Sequence, residues 1–343
     1  MSEFLIQYGL FLAQTITVLF SIITIILVIA SVATKNKAEA GTFIITNVND
    51  KINETKDDFL NATLDKSAYK ALLKQQKKSD KTQKKASKKE APAEKPRLFV
   101  IRFTGDIKAS QSQELREVVS AIINMAHKTD EVLVVLESPG GYVPHYGLAA
   151  SQLSRIRDQN IHLTIAIDRL AASGGYLMAC VANQIIAAPF AIVGSIGVIA
   201  QLPNFHKLLE KNNINFEQHT AGKYKRTLTM FGENTDDARE KFKQDLEETH
   251  DHFKSFIRIN RPQVDLDQVA TGEHWLATKA QELMLVDEIK TSDDFILQKN
   301  NSHKIFEVKF IEKPKLKDKL AGNAAGFIES ILHRLMNINW IGR

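Results

Sequence analysis

The sequence has little cysteine and no clustered metal ligands. Its 343 residues include one cysteine, Cys180, which excludes an intramolecular disulfide framework and a multi-cysteine zinc site. It also has no HExxH motif, no paired cysteines or histidines and no Asp-rich loop, so neither a metal nor a cofactor is predicted. Cys180 falls on a predicted helix, where a small buried apolar role is expected.

Net charge is also small once a single tract is set aside. The chain carries +5, yet residues 74–95 hold nine lysines against three acidic residues and contribute +6. This tract has no aromatic side chain that could stack on bases, so specific nucleic-acid binding is not expected. We interpret it as a solvated linker whose expected contacts are anionic lipid or an RNA backbone.

There is one long run without charge. Residues 4–34 have no charged side chain, and these 31 residues exceed the about 20 that cross a bilayer. A cleaved signal peptide needs a positive start, whereas the early charge here is Glu3. We therefore predict an uncleaved transmembrane helix in contact with lipid, with a buried globular helix as the alternative. Lys35 and Lys37 follow it and favour a cytoplasmic body.

Apolar and amphipathic segments alternate in the rest of the chain, from about residue 97. Such an alternation predicts an α/β fold with a buried, mostly parallel sheet. The predicted strands are residues 98–103, 132–136, 161–167, 184–187 and 197–200. The predicted helices are residues 111–125, 143–156, 173–182, 236–259 and 327–341, the last one amphipathic.

Two of the predicted strands end in glycine-rich turns that contain serine. Ser138-Pro139-Gly140-Gly141 follows one, and Ala171-Ala172-Ser173-Gly174-Gly175-Tyr176 follows the other. Glycine lets backbone N–H groups approach a reacting carbonyl, and a helix starting at Ser173 would direct its positive end there. The turns could supply a nucleophile and an oxyanion hole, although a purely structural role is equally expected of each.

A serine nucleophile needs a proton acceptor. The ten histidines are scattered, and none has an acidic partner in a recognisable motif. Lysine is the alternative, since it acts as a base once desolvation has made it neutral. Residues 221–227 carry Lys223 and Lys225, although a solvated basic turn is the simpler interpretation of that segment.

Together with Gly194-Ser195-Ile196-Gly197-Val198, the two serine turns resemble the motif set of the signal peptide peptidase A family of Ser–Lys serine peptidases. An N-terminal anchor, a lysine-rich linker and one catalytic domain also match its short inner-membrane members. The resemblance covers residues 98–289 and implies a ClpP/crotonase-like spiral of repeated β-β-α units. With the uncharged run and the lysine tract, it divides the chain into an anchor (1–34), a juxtamembrane segment and linker (35–96), a peptidase domain (97–295) and a C-terminal extension (296–343).

The resemblance also implies roles for individual side chains. Ser173 would be the nucleophile, and Lys225, 52 positions later, would be its general base. Lys223 is a close rival for the same role. Ser195 would hydrogen-bond the lysine and hold it as a neutral amine.

The implied oxyanion hole consists of backbone N–H groups. One would come from Gly174 and the other from Gly140 or Gly141. Residues 280–287 resemble a late motif of the family, with Met284 at a position where glycine is usual.

The implied function is that of a membrane-anchored serine endopeptidase in the bacterial inner membrane. Its substrates would be membrane-associated peptides, such as signal-peptide remnants, or unfolded proteins, and it would assemble as a homo-oligomer. A catalytically silent membrane scaffold on the same fold is the alternative. The side of the membrane stays open, because the lysines favour the cytoplasm and better-known relatives work on the outer side.

Overall fold

A computed structural model of the chain describes residues 2–35, 41–86 and 95–312. The predicted helix over 327–341 lies outside these ranges, as does part of the predicted linker. The strands are β1 (Thr42–Asn47), β2 (Arg97–Thr104), β3 (Glu131–Glu137), β4 (His162–Ile167), β5 (Leu170–Ala172), β6 (Gln184–Ala187), β7 (Ile192–Gly194), β8 (His274–Leu276), β9 (Glu288–Ile289) and β10 (Lys304–Ile311). The helices are α1 (Ser2–Lys35), α2 (Val48–Thr63), α3 (Lys66–Ala86), α4 (Ser112–Met125), α5 (Val143–Asp158), α6 (Gly174–Ala179), α7 (His206–Lys211), α8 (Asp236–Asn260), α9 (Leu266–Val269), α10 (Ala277–Glu282) and α11 (Ser292–Lys299).

Helix α1 contains the predicted apolar span. Its segment Ile6–Ile25 is long and apolar enough to cross a membrane, and none of it is buried. Phe11 and Phe20 are 66% and 70% exposed. An apolar helix of this length fits the hydrocarbon core of a bilayer better than it fits water.

A seven-stranded sheet organises the segment Phe43–Phe310, which forms one compact unit. Its strand order is β1-β10-β2-β3-β4-β6-β9, and the pairs from β10 through β9 are parallel. Successive residues of β3 alternate between the two faces, and both faces are buried. Helices α4, α5 and α6 cover one face, and α2 and α11 cover the other. Burial on both faces explains why these strands are continuous apolar runs.

A second sheet, β5-β7-β8, lies beyond the carboxyl ends of the strands of the first sheet. β4 of the large sheet is followed by β5 of the small sheet and then by α6, and β6 is followed by β7 in the same way. The isolated bridge between Ser138 and Ala171 brings the end of β3 into the same pattern. This repetition of β-β-α units confirms the predicted α/β spiral.

The predicted strand over 197–200 is wrong. The strand in this region is β7, which pairs with β5 on one side and β8 on the other. Gly194 and Ser195 have φ angles of +114° and +52° and end the strand before residue 197. The apolar sequence continues past this point, and apolarity alone does not mark the end of pairing.

The compact unit reaches beyond the predicted limits of 97 and 295 at both ends. β10 lies inside the large sheet, next to β2, and β1 is the edge strand beside it. The Asn49 side chain of α2 donates to the carbonyl oxygens of Asn300 and His303, both at 3.1 Å, and accepts from the Ile305 N–H at 2.7 Å. The predicted juxtamembrane segment therefore contributes to the folded unit, and α3 continues into the lysine tract as far as Ala86.

Candidate active site

Ser173 occupies a strained corner between β5 and α6. Its φ and ψ are 53° and −118°, a conformation that costs a non-glycine residue about 1–3 kcal/mol. The Ser173 N–H donates to the Gly194 carbonyl at 2.8 Å, which ties the corner to the end of β7. The side chain is half-buried and lines a cavity. Strain held by the surrounding structure is typical of a functional position.

The two predicted glycine turns meet at this corner. The Ser138 N–H donates to Leu170 O at 2.8 Å, and the Ala172 N–H donates to Ser138 O at 3.0 Å. Gly140 has a φ of +86°, and a Cβ on it would lie 2.7 Å from the Gly174 nitrogen. The turns are thus in backbone contact at the Ser173 corner.

The backbone N–H groups of the two turns differ in what they bind. The Gly140 N–H donates to Ser138 Oγ at 3.1 Å and is engaged within the turn. The N–H groups of Gly141 and Gly174 make no hydrogen bond to any described residue. Gly174 is the first residue of α6, where an N–H lacks an intrahelical partner. Gly141 and Gly174 both line the cavity beside Ser173, so their N–H groups are open to a ligand there.

An apolar cavity of about 440 Å³ opens in front of Ser173, Gly141 and Gly174. Its wall includes two phenylalanines of α8, a helix that the sequence predicts without indicating its role. Apolar walls exclude water and strengthen any electrostatic interaction at the mouth of the cavity. The apolar side chains that line it include Val143, Leu177, Val198, Ile199, Phe253 and Phe256.

Ser195 lies next to the Ser173 corner. It directly follows Gly194, whose carbonyl accepts from the Ser173 N–H. The Ser195 N–H donates to Glu273 O at 2.6 Å, which fixes its backbone. The side chain is half-buried, and its hydroxyl has no hydrogen-bond partner in the part of the chain that the structure describes.

Lys225 and Ser173 line different cavities in the single chain. Lys225 is exposed and lines a cavity of about 740 Å³, together with Leu202, Phe216 and Phe231. That cavity shares no lining residue with the one in front of Ser173. Across residues 2–35, 41–86 and 95–312, the Lys225 ammonium has neither a hydrogen bond nor an ion pair.

Lys223, the rival lysine, has partners of its own. Its Nζ lies 3.5 Å from Asp237 Oδ2 and 4.7 Å from the centre of the Tyr224 ring. A hydrogen bond with Tyr224 and the nearby charge of Asp237 raise the pKa of Lys223 above its ordinary value. A raised pKa favours the charged ammonium, which cannot accept a proton. The surroundings of Lys223 therefore disfavour it as a base.

No group of three potential metal ligands occurs among the described residues. Of the histidines, His252 on α8 lines the cavity of Ser173, and its side chain is exposed. The sequence offered no reason to single it out, because its acidic neighbours are spread around a solvated helix. His145 is engaged elsewhere, with its Nδ1 2.6 Å from Lys108 O.

Comparison with protein families identifies the chain. The model described as Peptidase family S49 N-terminal matches residues 3–153, and that described as Peptidase family S49 matches residues 155–305. The chain belongs to peptidase family S49. The resemblance predicted from the serine and glycine motifs is thereby confirmed, and membership of S49 supports a peptidase.

Curated S49 relatives match over almost the full length. A "Probable protease SohB" of Haemophilus influenzae is 45% identical over 97% of both chains. Another, from Buchnera aphidicola subsp. Schlechtendalia chinensis, is 47% identical over 87% of this chain and 100% of its own. Among solved structures, a mutant of the 1510-N membrane-bound stomatin-specific protease aligns with a TM-score of 0.36 and 13% identity, over 60% of this chain and 86% of its own.

Proposed function

We propose that this S49 peptidase is a membrane-anchored serine endopeptidase with Ser173 as its nucleophile. The observation that carries the proposal is the strained Ser173 corner beside two N–H groups, of Gly141 and Gly174, that no described residue binds. Such donors stabilise the oxyanion of a tetrahedral intermediate, and one donor is worth about 3–4 kcal/mol in a serine protease. A purely structural turn has no need to leave both donors open beside a serine.

In the proposed mechanism, neutral Lys225 removes the Ser173 proton as the serine oxygen attacks a peptide carbonyl. The Gly141 and Gly174 N–H groups bind the oxyanion, and the lysine then protonates the leaving amine. Water hydrolyses the acyl-enzyme by the reverse sequence. Ser195, beside the corner, would hydrogen-bond the lysine as a neutral amine. The reaction requires Lys225 to be desolvated, because burial is what displaces its proton.

Lys225 would reach Ser173 in a homo-oligomer, from a second copy of the chain. In one copy the two side chains line separate cavities, and Lys225 stands among exposed apolar side chains of the segment 199–231. These include Leu202 and Phe231, which line the cavity of Lys225 and are 42% and 41% exposed. Docking of this segment on a neighbour would cover that apolar area and desolvate the lysine in one step.

The proposed substrates are membrane-associated peptides, such as signal-peptide remnants, or unfolded proteins. The cavity beside Ser173 is walled by aliphatic and phenylalanine side chains and suits an apolar residue next to the cleaved bond. Helix α1 would anchor the enzyme in the bacterial inner membrane, next to membrane-associated peptides. The side of the membrane that the body faces is left open in this proposal.

The test is cleavage of a quenched apolar peptide by the full-length enzyme in detergent, from pH 6 to about pH 10, the ordinary pKa of lysine. Activity is expected to rise with pH as more lysine becomes neutral. Ser173→Ala and Lys225→Ala should each abolish cleavage without loss of folding. Lys223→Ala is the matched control and should retain most activity. An acidic optimum, or loss only with Lys223→Ala, would contradict Lys225 as the base.

A catalytically silent scaffold is the second candidate, favoured by the separation of Ser173 and Lys225 in the single chain. A scaffold predicts equal cleavage, or equal absence of cleavage, by the parent enzyme and by the Ser173→Ala variant. Reaction of Ser173 with a fluorophosphonate probe separates the two candidates without a known substrate. Labelling that disappears in Ser173→Ala favours the peptidase.

A further inference from the structure

A buried chain of hydrogen bonds runs behind the Ser173 corner. Tyr146 and Ser138 have no exposed surface. The Tyr146 hydroxyl donates to Asp106 O at 2.7 Å, and Ser138 Oγ lies 2.6 Å from the Tyr146 oxygen. Because a carbonyl only accepts and tyrosine has one proton, Ser138 must be the donor to Tyr146. The Gly140 N–H donates to Ser138 Oγ. Each of the three hydrogen bonds in this network therefore has a defined donor and a defined acceptor.

This network of hydrogen bonds fixes which backbone N–H group faces the cavity. The Gly140 N–H is held on the Ser138 side, and its φ of +86° turns the backbone between Gly140 and Gly141. Gly141 lines the cavity with Ser173, and its own N–H is without a partner in the described structure. If the bond to Ser138 were lost, the Gly140 N–H could rotate and the direction of the next peptide would no longer be fixed.

The Tyr146 ring supports the other donor. A Cβ on Gly174 would overlap Tyr146 Cγ, so the ring packs directly against the first residue of α6. On the far side, a Cβ on Gly105 would overlap both Ser138 Oγ and the Tyr146 hydroxyl. Gly105 on one side and Gly174 on the other therefore confine the network. Tyr146 contacts the Gly174 backbone through its ring and is linked to the Gly140 backbone through Ser138.

We propose that Ser138 and Tyr146 are positioning residues that hold the Gly141 and Gly174 N–H groups in register with Ser173. The inference rests on the proposed function, in which those two groups bind the oxyanion. Burial raises the pKa of the Tyr146 hydroxyl, so the network keeps its proton at the alkaline pH where a lysine base works. Chains of hydrogen bonds in a dry interior polarise and stiffen one another.

The test compares Tyr146→Phe, Ser138→Ala and the double variant with the parent enzyme. Each single variant should lower kcat about tenfold, less than the about 100-fold or more that follows the loss of a donor, and leave KM within about twofold. The double variant should be no slower than the slower single variant, because the two side chains act as one unit. Tyr142→Phe, on an exposed tyrosine just before α5, is the matched control and should leave kcat unchanged.

Two readouts separate this proposal from the proposed function. The rate of Ser173 labelling by a fluorophosphonate reports on the corner directly, and it should fall with kcat in both single variants. Unchanged kcat and labelling in folded Tyr146→Phe, or losses that simply add in the double variant, would overturn the positioning role. Cleavage that survives Ser173→Ala would instead overturn the proposed function. If Ser138→Ala does not fold, Tyr146→Phe decides, since it removes one oxygen and keeps the ring against Gly174.

Discussion

At the scale of single residues, Gly140 shows how closely the two turns are packed. A Cβ at this position would lie 2.7 Å from the Gly174 nitrogen and 2.8 Å from Ser173 Cβ. Gly272 has nearly the same φ, +87° against +86°, but its Cβ would meet nothing within 4 Å. The pair therefore separates backbone strain from crowding. An alanine would be strained at either position, but its Cβ would be crowded only at position 140.

We expect Gly272→Ala to lower the free energy of unfolding by about 1 kcal/mol, the cost of a left-handed alanine. Gly140→Ala should cost a further 1–3 kcal/mol or so from overpacking, and it should abolish cleavage by displacing Gly174. Urea unfolding and peptide cleavage measure the two effects. Equal stability losses in the two variants would show that the turns can separate, and the packing described for the corner would then be incorrect.

Asp130 is a second residue whose surroundings predict a measurable effect. It is 2% exposed and accepts hydrogen bonds from the Arg97 guanidinium at 2.6 Å and from the His127 N–H at 2.8 Å. Burial raises the pKa of Asp130, but the bonds from Arg97 and His127 outweigh it and hold the pKa below its ordinary value. A lowered pKa in the folded state stabilises the protein above about pH 4, and this contribution disappears as pH falls further.

Asp130→Asn should therefore lower the free energy of unfolding at pH 7 by about 3 kcal/mol, since it leaves Arg97 without its charge partner. The difference from the parent chain should shrink as pH falls below about 4, where Asp130 itself becomes protonated. Urea unfolding at several pH values between 3 and 7 measures it. Glu117→Gln, which breaks the exposed pair with Arg116, is the control and should change little at any pH. A difference that is independent of pH would rule out the charge of Asp130 as its origin.

The sequence singles out a residue when adjacent positions determine its geometry. It misses a residue whose role depends on contacts that are distant in the sequence. Ser173 could be singled out because a strand, a serine and two glycines follow one another in sequence. Tyr146 could not, because on α5 it is one of several apolar positions at helical spacing, and its hydroxyl partners are Ser138 and Asp106. The available sequence signal was a tyrosine on a buried helical face, which needs a hydrogen-bond partner there.

At the scale of elements, the end of α10 explains why a glycine suits position 284. The Met284 N–H donates to Gln281 O, and the Leu285 N–H donates to Ala280 O. These two bonds form a Schellman motif, whose residue after the cap is left-handed. Met284 has a φ of +59° and is 55% exposed. The turn thus forms with methionine, at the cost of a conformation that favours glycine.

Met284→Gly should raise the free energy of unfolding by about 0.5–1 kcal/mol, because relief of the left-handed strain exceeds the added entropy of glycine in the unfolded chain. Met284→Ala keeps the strain and is the control, which should give no gain. Thermal unfolding of the two variants beside the parent chain is the measurement. A lower melting temperature for Met284→Gly would mean that contacts of the methionine side chain outweigh the strain.

Elements inside the sheet were predicted well, and elements at its edge were not. β3 and β4 are buried on both faces and leave continuous apolar runs in the sequence. β1 is exposed along its length, and the charged helices α2 and α3 follow it. No local pattern reveals that Asn49 of α2 is bonded to residues 300–305, some 250 positions later. Pairing over such a distance is a property of the topology and not of a sequence window.

At the scale of the whole molecule, the position of Lys225 leads to an experiment on assembly. If a neighbour supplies the lysine, each site uses Ser173 of one copy and Lys225 of the next. Ser173→Ala and Lys225→Ala enzymes are then inactive alone, but an interface between them in the right order contains both intact side chains. If the dyad closes within one chain, every site in such a mixture has one lesion.

We expect co-expression of the two inactive variants to restore roughly a quarter of the parent activity, because one in four head-to-tail interfaces in a random 1:1 mixture pairs intact Ser173 with intact Lys225. Cleavage of the quenched peptide by the co-purified mixture, with two different tags to prove co-assembly, is the measurement. Co-expression of Ser173→Ala with the Ser173→Ala/Lys225→Ala double variant is the control and should stay inactive. A co-assembled but inactive mixture would mean that the segment around Lys225 closes onto Ser173 of its own chain. The exposed apolar residues of 199–231 would then cover a site formed within one chain.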